Sequence, residues 1–335
     1  MLIPAPRVTF DSRWCGQNGI GRFAYELQNR IDFHKTLSTN WSPTSIISPI
    51  VATAASIIDR IENLYIPGYV PLLGRKTPYS FTIHDLNHID TPFNSSIAKN
   101  LFYRSIIKPA TKNCRYIFTV SGYSKSRIVD WSDCPPEKVI VVGNGVSEVF
   151  TPNTEAAQFD APFIFCCSNR KGHKNESRLL KAFKSSGLHK EVFLVLSGFP
   201  NEEITAELIS LGLEKSVIFS GQTSESQLAS LYAGAIFTVF PSLYEGFGLP
   251  VIESMACGTP VITSNLTSMP EIGGSAAIYV DPYDIDSIGD AMQKLLGDHE
   301  LRKNMRDRGI IQSSKFSWDN TAQIVAKYLN QSSDF

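Results

Sequence analysis

SLYEGFGLPVIESMACGTPVI, residues 242–262, is the stretch whose reading decides the fold. It begins where an apolar, β-branched and aromatic run over 236–240 ends, and Pro241 and Ser242 close that run as a strand. Gly246 and Gly248 let the backbone turn sharply or approach a ligand closely. Pro250 suits the first turn of a helix, where its missing N–H does no harm. A strand, a glycine loop and a helix leave free amides at the helix start, a place that welcomes an anion. Glu245 lies in the loop and Glu253 about one turn into the helix, so two carboxylates could grip hydroxyls on either side of a bound phosphate. From spacing alone, a helix cap at Glu245 and a solvated Glu253 fit as well.

The same alternation runs through the whole chain. With 335 residues, one large α/β unit or two of about 150 residues are the natural options. In the first half, strands are expected near 7–10, 45–50, 79–83, 116–120 and 139–142, and helices near 22–31, 96–111 and 125–131. A polar, proline-flanked segment, TPNTEAAQFDAP, then reads as a linker. Beyond it the strands are 163–167, 192–197, 217–219, 236–240, 261–263 and 277–280. The helices there are 175–186, 202–211, 225–233, 250–256, 284–297, 300–312 and 318–329. Repeated βαβ units of this kind imply an α/β protein of two parallel-sheet domains, with ligands bound outside the carboxyl ends of the strands.

Charge and cysteine content exclude several classes. The chain carries 31 Lys and Arg against 32 Asp and Glu, and no nucleic-acid-binding module is recognisable, so a nucleic-acid partner is not expected. The six cysteines show no ligand-pair spacing and read as reduced, buried thiols of a cytoplasmic protein. No apolar run reaches the length of a membrane span, and the amino terminus lacks the apolar core of a signal peptide. Residues 91–129 hold seven basic side chains and no acidic one. Within them the 96–115 segment could place Leu101, Phe102, Ile106 and Ile107 against a bilayer with Lys99, Arg104 and Lys108 beside them, or simply face the core with a basic rim.

Three further clusters could carry chemistry. CCSNRKGHKN, 166–175, sets Arg170 and Lys174 after a strand, where two cations could stabilise a departing diphosphate or merely line a solvated loop. DSRWCGQNGIGRFAYEL, 11–27, is glycine-rich but lacks the dinucleotide fingerprint; Gly19 and Gly21 could bring amides to a phosphate or form a tight turn. TIHDLNHID, 82–90, puts His84 and Asp85 at the end of a strand, and with His88 they lack the fourth partner and spacing of a metal site. No carboxylate pair presents itself as a hydrolase pair.

Two glutamates separated by seven residues, together with SNRKGHKN, GIGR, GTPVITS and SMPEIGGSAAIYVDP, resemble the large family of retaining GT-B glycosyltransferases, glycosyltransferase family 4, and its mannosyltransferases in particular. The resemblance covers the chain from Asp11 to the last helix and departs most over 32–69. It implies a GT-B fold: a Rossmann-like acceptor-side domain over 1–152, completed by a crossover helix at 318–335, and a Rossmann-like nucleotide-sugar domain over 153–317, facing a central cleft. It implies that Glu245 contacts the donor hexose, that Phe247, Gly248 and Leu249 offer amides to its phosphate, and that Glu253 holds the ribose. Arg170 and Lys174 would meet the diphosphate, Gly19, Gly21 and Asn144 would face the donor, and His84 would approach the transferred sugar. Asp11, Arg13, Asp85 and Ser121 would support the site. The implied reaction is metal-independent, cofactor-free transfer of a hexose, with GDP-mannose as leading donor, to a hydroxyl of a growing glycan or lipid-linked acceptor. A UDP-sugar donor, a sugar-nucleotide epimerase and a non-catalytic sugar-nucleotide binding module are the alternatives.

Overall fold

The structure, a computed structural model, describes residues 2–16, 19–38, 41–92 and 94–331. The chain forms two compact units, residues 1–145 with 317–335, and residues 146–316.

The first unit is built on six parallel strands, β1 (Ile3–Asp11), β2 (Ile31–Leu37), β3 (Leu64–Ile66), β4 (Tyr79–Thr82), β5 (Ile117–Thr119) and β6 (Val139–Val141), in the order β2-β1-β3-β4-β5-β6. Its central strands are short and buried along their whole length, as in a parallel sheet covered on both faces. Two of these strands escape a reading of the sequence. β2 is an edge strand with Asp32 and Lys35 in it, and β3 is three residues long. The strand expected at 45–50 is instead the start of a helix, Ser48–Ile58, with Pro49 in its first turn. That helix buries its small residues Ser48, Ala52 and Ser56, one turn apart, and exposes Ile50, Ile57 and Ile58. Its apolar run therefore gives no helical period to read.

The helix expected over 96–111, which contains Pro109, runs from Ile97 to Asn113. A wider π turn, Tyr103–Ile107, precedes the proline, and such a turn accommodates a ring that has no N–H and would crowd the preceding carbonyl. Tyr103, Ile107 and Ala110 face the core, while Ile97 and Leu101 stay exposed.

The second unit has strands β7 (Phe163–Cys166), β8 (Phe193–Leu196), β9 (Val217–Phe219), β10 (Thr238–Phe240), β11 (Val261–Ser264) and β12 (Ala277–Val280), all parallel, in the order β12-β11-β10-β7-β8-β9. β7 and β10 are neighbours, and the winding reverses between them. Loops leaving their carboxyl ends part to opposite sides and open the crevice where such sheets take ligands.

Two boundaries are displaced from the sequence reading. Residues 146–152 belong to the second unit, because Phe150 is buried there against the ring of Tyr232 at 5.9 Å. The return to the first unit begins at residue 317, where Ser317 caps the helix Trp318–Leu329 by accepting from the amides of Asp319 and Asn320. Trp318 is buried beside Phe23; truncating such an aromatic costs about 3–5 kcal/mol. A Cβ on Gly145 would stand 2.1 Å from the Trp318 amide nitrogen, so only glycine fits. Gly145→Ala is expected to lower stability by about 2–4 kcal/mol. Gly19→Ala, whose Cβ would meet nothing within 4 Å, should change it by less than about 1 kcal/mol. Urea unfolding followed by tryptophan fluorescence measures both.

Candidate functional site

In the second unit, the loops after β7 and β10 are tied together by backbone and by one amide side chain. The Leu243 amide donates to the His173 carbonyl at 2.7 Å. Asn175, in the left-handed region at φ 62°, donates from Nδ2 to the carbonyls of Pro241 at 3.0 Å and Pro282 at 2.7 Å. Asparagine tolerates that conformation better than most residues.

This union brings Lys174 to Glu245. Lys174 Nζ donates to Glu245 Oε1 at 2.7 Å, and Ser242 Oγ stands 2.6 Å from the same oxygen. The two side chains of the ion pair are 13% and 14% exposed, and the ammonium lies 4.8 Å from the centre of the Phe240 ring. Burial works against the Lys174 charge, but the charge and hydrogen bond of Glu245 outweigh it and hold the pKa above the ordinary lysine value.

Glu245 is not a helix cap. The cap position of the helix Leu249–Ala256 is Gly248, with no side-chain cap bond, so the first turn keeps its positive end uncapped by side chains. Gly248 has φ +114°, which an L-residue rarely adopts. Ser268 Oγ sits within 3.0 Å of the Glu245 carbonyl and 2.8 Å of the Phe247 carbonyl, and Phe247 rests edge-on to Phe316 at 5.5 Å. Glu253 is the fifth residue of the helix and accepts a hydrogen bond from Tyr232 Oη at 3.0 Å.

Arg170 makes its bonds to other partners than Lys174 and Glu245. Its guanidinium donates to Glu176 and the Ser197 carbonyl, and from Nε to the Phe199 carbonyl at 2.9 Å, and it covers the Phe219 ring at 5.1 Å. Of the two cations expected to face the phosphate, Lys174 lies against Glu245 and Arg170 against Glu176 and two backbone carbonyls. Two buried hydroxyls at strand ends, Ser168 Oγ and Ser264 Oγ, meet no partner among the described residues.

In the first unit, Asp11 is fully buried and grips Arg13 through Nε at 2.7 Å and a terminal nitrogen at 2.6 Å, while Arg13 also reaches Ser48 Oγ at 3.2 Å. This bidentate pair orders the turn after β1. Gly21 is glycine for packing, since a Cβ would stand 2.7 Å from the Gly16 backbone. Ser121 accepts from the Ser124 amide at 3.0 Å and caps the helix Gly122–Ser132. Asp85 accepts from the Asn87 amide at 3.0 Å. Asn144 is buried, and its Oδ1 meets no donor among the described residues.

His84 Nε2 lies 3.1 Å from the Pro67 carbonyl. A carbonyl only accepts, so Nε2 carries the proton and Nδ1 the lone pair. Burial pushes the ring pKa down to about 4, with the Pro67 bond opposing. Among the described residues no group of three or more His, Cys, Asp or Glu gathers as a metal site. A hollow of about 440 Å³ in this unit is lined by Arg7, Lys35, Arg60, Glu62 and their neighbours, and contains none of the expected site residues.

Asn175, Ser242 and Tyr232 are the residues that sequence reading missed. An asparagine just before a helix and a serine closing a strand were the available signals; nothing local marks Tyr232.

Two expected outcomes follow from this geometry. Lys174→Met and Glu245→Gln should each cost about 1–3 kcal/mol, and the double variant should cost less than their sum, as measured in a urea double-mutant cycle. Because the folded His84 resists protonation, the unfolded chain binds more protons between pH 6.5 and 4. Stability then falls as pH drops through that window, by an upper bound of about 3 kcal/mol. His84→Asn should lose stability less steeply across the same range.

The family described as Glycosyl transferases group 1 matches residues 151–312. The O-antigen chain mannosyltransferase B of Escherichia coli is 29% identical over 262 residues, 74% of this chain and 69% of that protein. The MMP alpha-(1->4)-mannosyltransferase of Mycolicibacterium hassiacum is 33% identical over 223 residues, 63% of this chain and 53% of that protein. The chain thus spans about half of the second relative. Sucrose-phosphate synthase from Thermosynechococcus elongatus has the same fold, with a TM-score of 0.78 at 18% identity, covering 97% of this chain and 98% of that one. Residues 151–312, within the second unit, thus match the group 1 glycosyl transferases, and the chain has the GT-B fold.

Proposed function

We propose that this protein is a hexosyltransferase that moves mannose from GDP-mannose, with retention of configuration, to a hydroxyl of a growing glycan or lipid-linked acceptor. The observation that carries the reading is the Lys174–Glu245 pair at 2.7 Å, placed where the winding of the second sheet reverses. The names of the two mannosyltransferase relatives support mannose as the sugar.

Lys174 gives one N–H to Glu245 and has further donors for a phosphate oxygen. The uncapped start of the helix Leu249–Ala256 adds amides to the same charge. Negative charge grows on the departing diphosphate as the bond to the anomeric carbon breaks, so these groups bind the transition state more tightly than the substrate. The acceptor oxygen forms its bond on the face that the diphosphate leaves, and the acceptor proton passes to a phosphate oxygen. Glu245, with Oε1 held by Lys174 and Ser242, positions hexose hydroxyls, and Glu253 receives those of the ribose. In the first unit, the Nδ1 lone pair of His84 is suited to accept from a sugar hydroxyl.

The reaction is proposed to need no metal, so EDTA should leave its rate unchanged. Exposed Ile97 and Leu101 beside Lys99 and Arg104 support peripheral contact with an anionic membrane on the cytoplasmic side. No helix among the described residues is long and apolar enough to cross a membrane.

A panel of GDP- and UDP-sugars offered with a lipid extract, read by nucleotide release and product mass, tests the assignment. GDP-mannose should give the fastest acceptor-dependent release, and Glu245→Gln should lower kcat at least about 100-fold while far-UV circular dichroism stays unchanged. Fast release from a UDP-sugar alone would replace the donor. Near-normal turnover by Glu245→Gln would remove the role of that residue.

A further inference from the structure

We infer that Tyr232 is a positioning residue that sets the recognition of the nucleotide ribose by Glu253. The inference rests on the donor assignment above and names the side chain through which one of its two glutamates works.

Tyr232 stands near the end of the helix Glu225–Gly234 and is fully buried. Its ring is held edge-on by Phe165 at 5.0 Å and Phe150 at 5.9 Å, two aromatics from different segments of the same core. Its carbonyl is held in turn by Thr259 Oγ1 at 2.7 Å. Backbone and ring are therefore both fixed, and the phenol has one direction in which to point. In that direction lies Glu253 Oε2 at 3.0 Å.

The consequence concerns the plane of a carboxylate. A glutamate on a helix has three rotatable bonds and would sample many orientations, losing entropy on meeting a ligand. A buried phenol needs an acceptor, and a charged acceptor makes the stronger bond. Fixing one carboxylate oxygen by a rigid donor fixes the plane of the group, and so the direction in which it can receive the hydroxyls of a ribose. Cys167, directly after β7, packs against the same cluster, and burial, with the charge of Glu253 adding to it, pushes its thiol up. A residue that acts in this way alters binding of the ground state and the transition state alike, so its loss raises KM and leaves kcat.

The test compares GDP and UDP with their 2′-deoxy forms, by calorimetry on the full chain, for the wild type, Tyr232→Phe and Glu253→Gln. The wild type should prefer the ribose form by about tenfold or more, and Tyr232→Phe should reduce that preference to within about threefold. The KM for donor should rise by about tenfold, with kcat changed less than twofold. Inorganic pyrophosphate should bind wild type and Tyr232→Phe equally. If Glu253→Gln loses the preference and Tyr232→Phe keeps it, the positioning role is overturned and the donor assignment stands. If Glu253→Gln keeps it, ribose recognition by Glu253 fails and the inference fails with it. A Tyr232→Phe protein that is less stable but retains the ribose preference shows a packing role alone, which also overturns the proposal.

Discussion

The carbonyl of His173 and the side chain of Asn175 hold together two loops that the sheet topology would otherwise send apart. β7 and β10 lie side by side, but the segments that follow them diverge to different sides of the sheet. A crevice opened in this way has no fixed width of its own. The Leu243 amide and the Asn175 amide group supply that width, because hydrogen bonds to backbone carbonyls allow little variation in length. Lys174 sits between His173 and Asn175 in sequence, so its position is set from both sides, and Glu245 is carried to it by the partner loop. The ion pair is therefore the product of a backbone arrangement.

Ionised side chains in this protein fall into two kinds. Asp11 with Arg13 and Arg170 with Glu176 are mutual partners whose remaining contacts go to hydroxyls or carbonyls of the same unit. Each such pair orders the turn that carries it. Lys174 and Glu245 differ in kind. Lys174 gives one of its three N–H groups to Glu245, and the helix that follows has Gly248 at its cap position with no side-chain cap bond. The distinction rests on place, beside a helix start, and residue type alone does not reveal it.

Small residues at close approaches show the same separation of causes. Gly248 is dictated by its backbone angle, Gly21 by the Gly16 main chain and Gly145 by the amide of Trp318. Only the first stands in the loop that opens the helix Leu249–Ala256; the others are consequences of packing. A glycine-rich segment such as GIGR therefore has a structural cause whether or not it also meets a ligand.

The sequence by itself determined the alternation of strand and helix throughout the second unit, the end of β10 at Pro241 and Ser242, the helix opened by Pro250, and the placing of Glu245 and Glu253 around its start. These are local matters: turn chemistry, strand composition and proline preference act over a few residues and are legible there. In the first unit, β2, β3 and the helix Ser48–Ile58 were not legible, because an edge strand, a three-residue strand and a helix packed through its small residues carry no period of their own. Tertiary structure alone decided that Lys174 meets Glu245 across 71 positions, that Arg170 is held by Glu176, and that the phenol of Tyr232 ends on Glu253. Such contacts depend on strand order and on which donors find acceptors first, and those are properties of the folded chain as a whole.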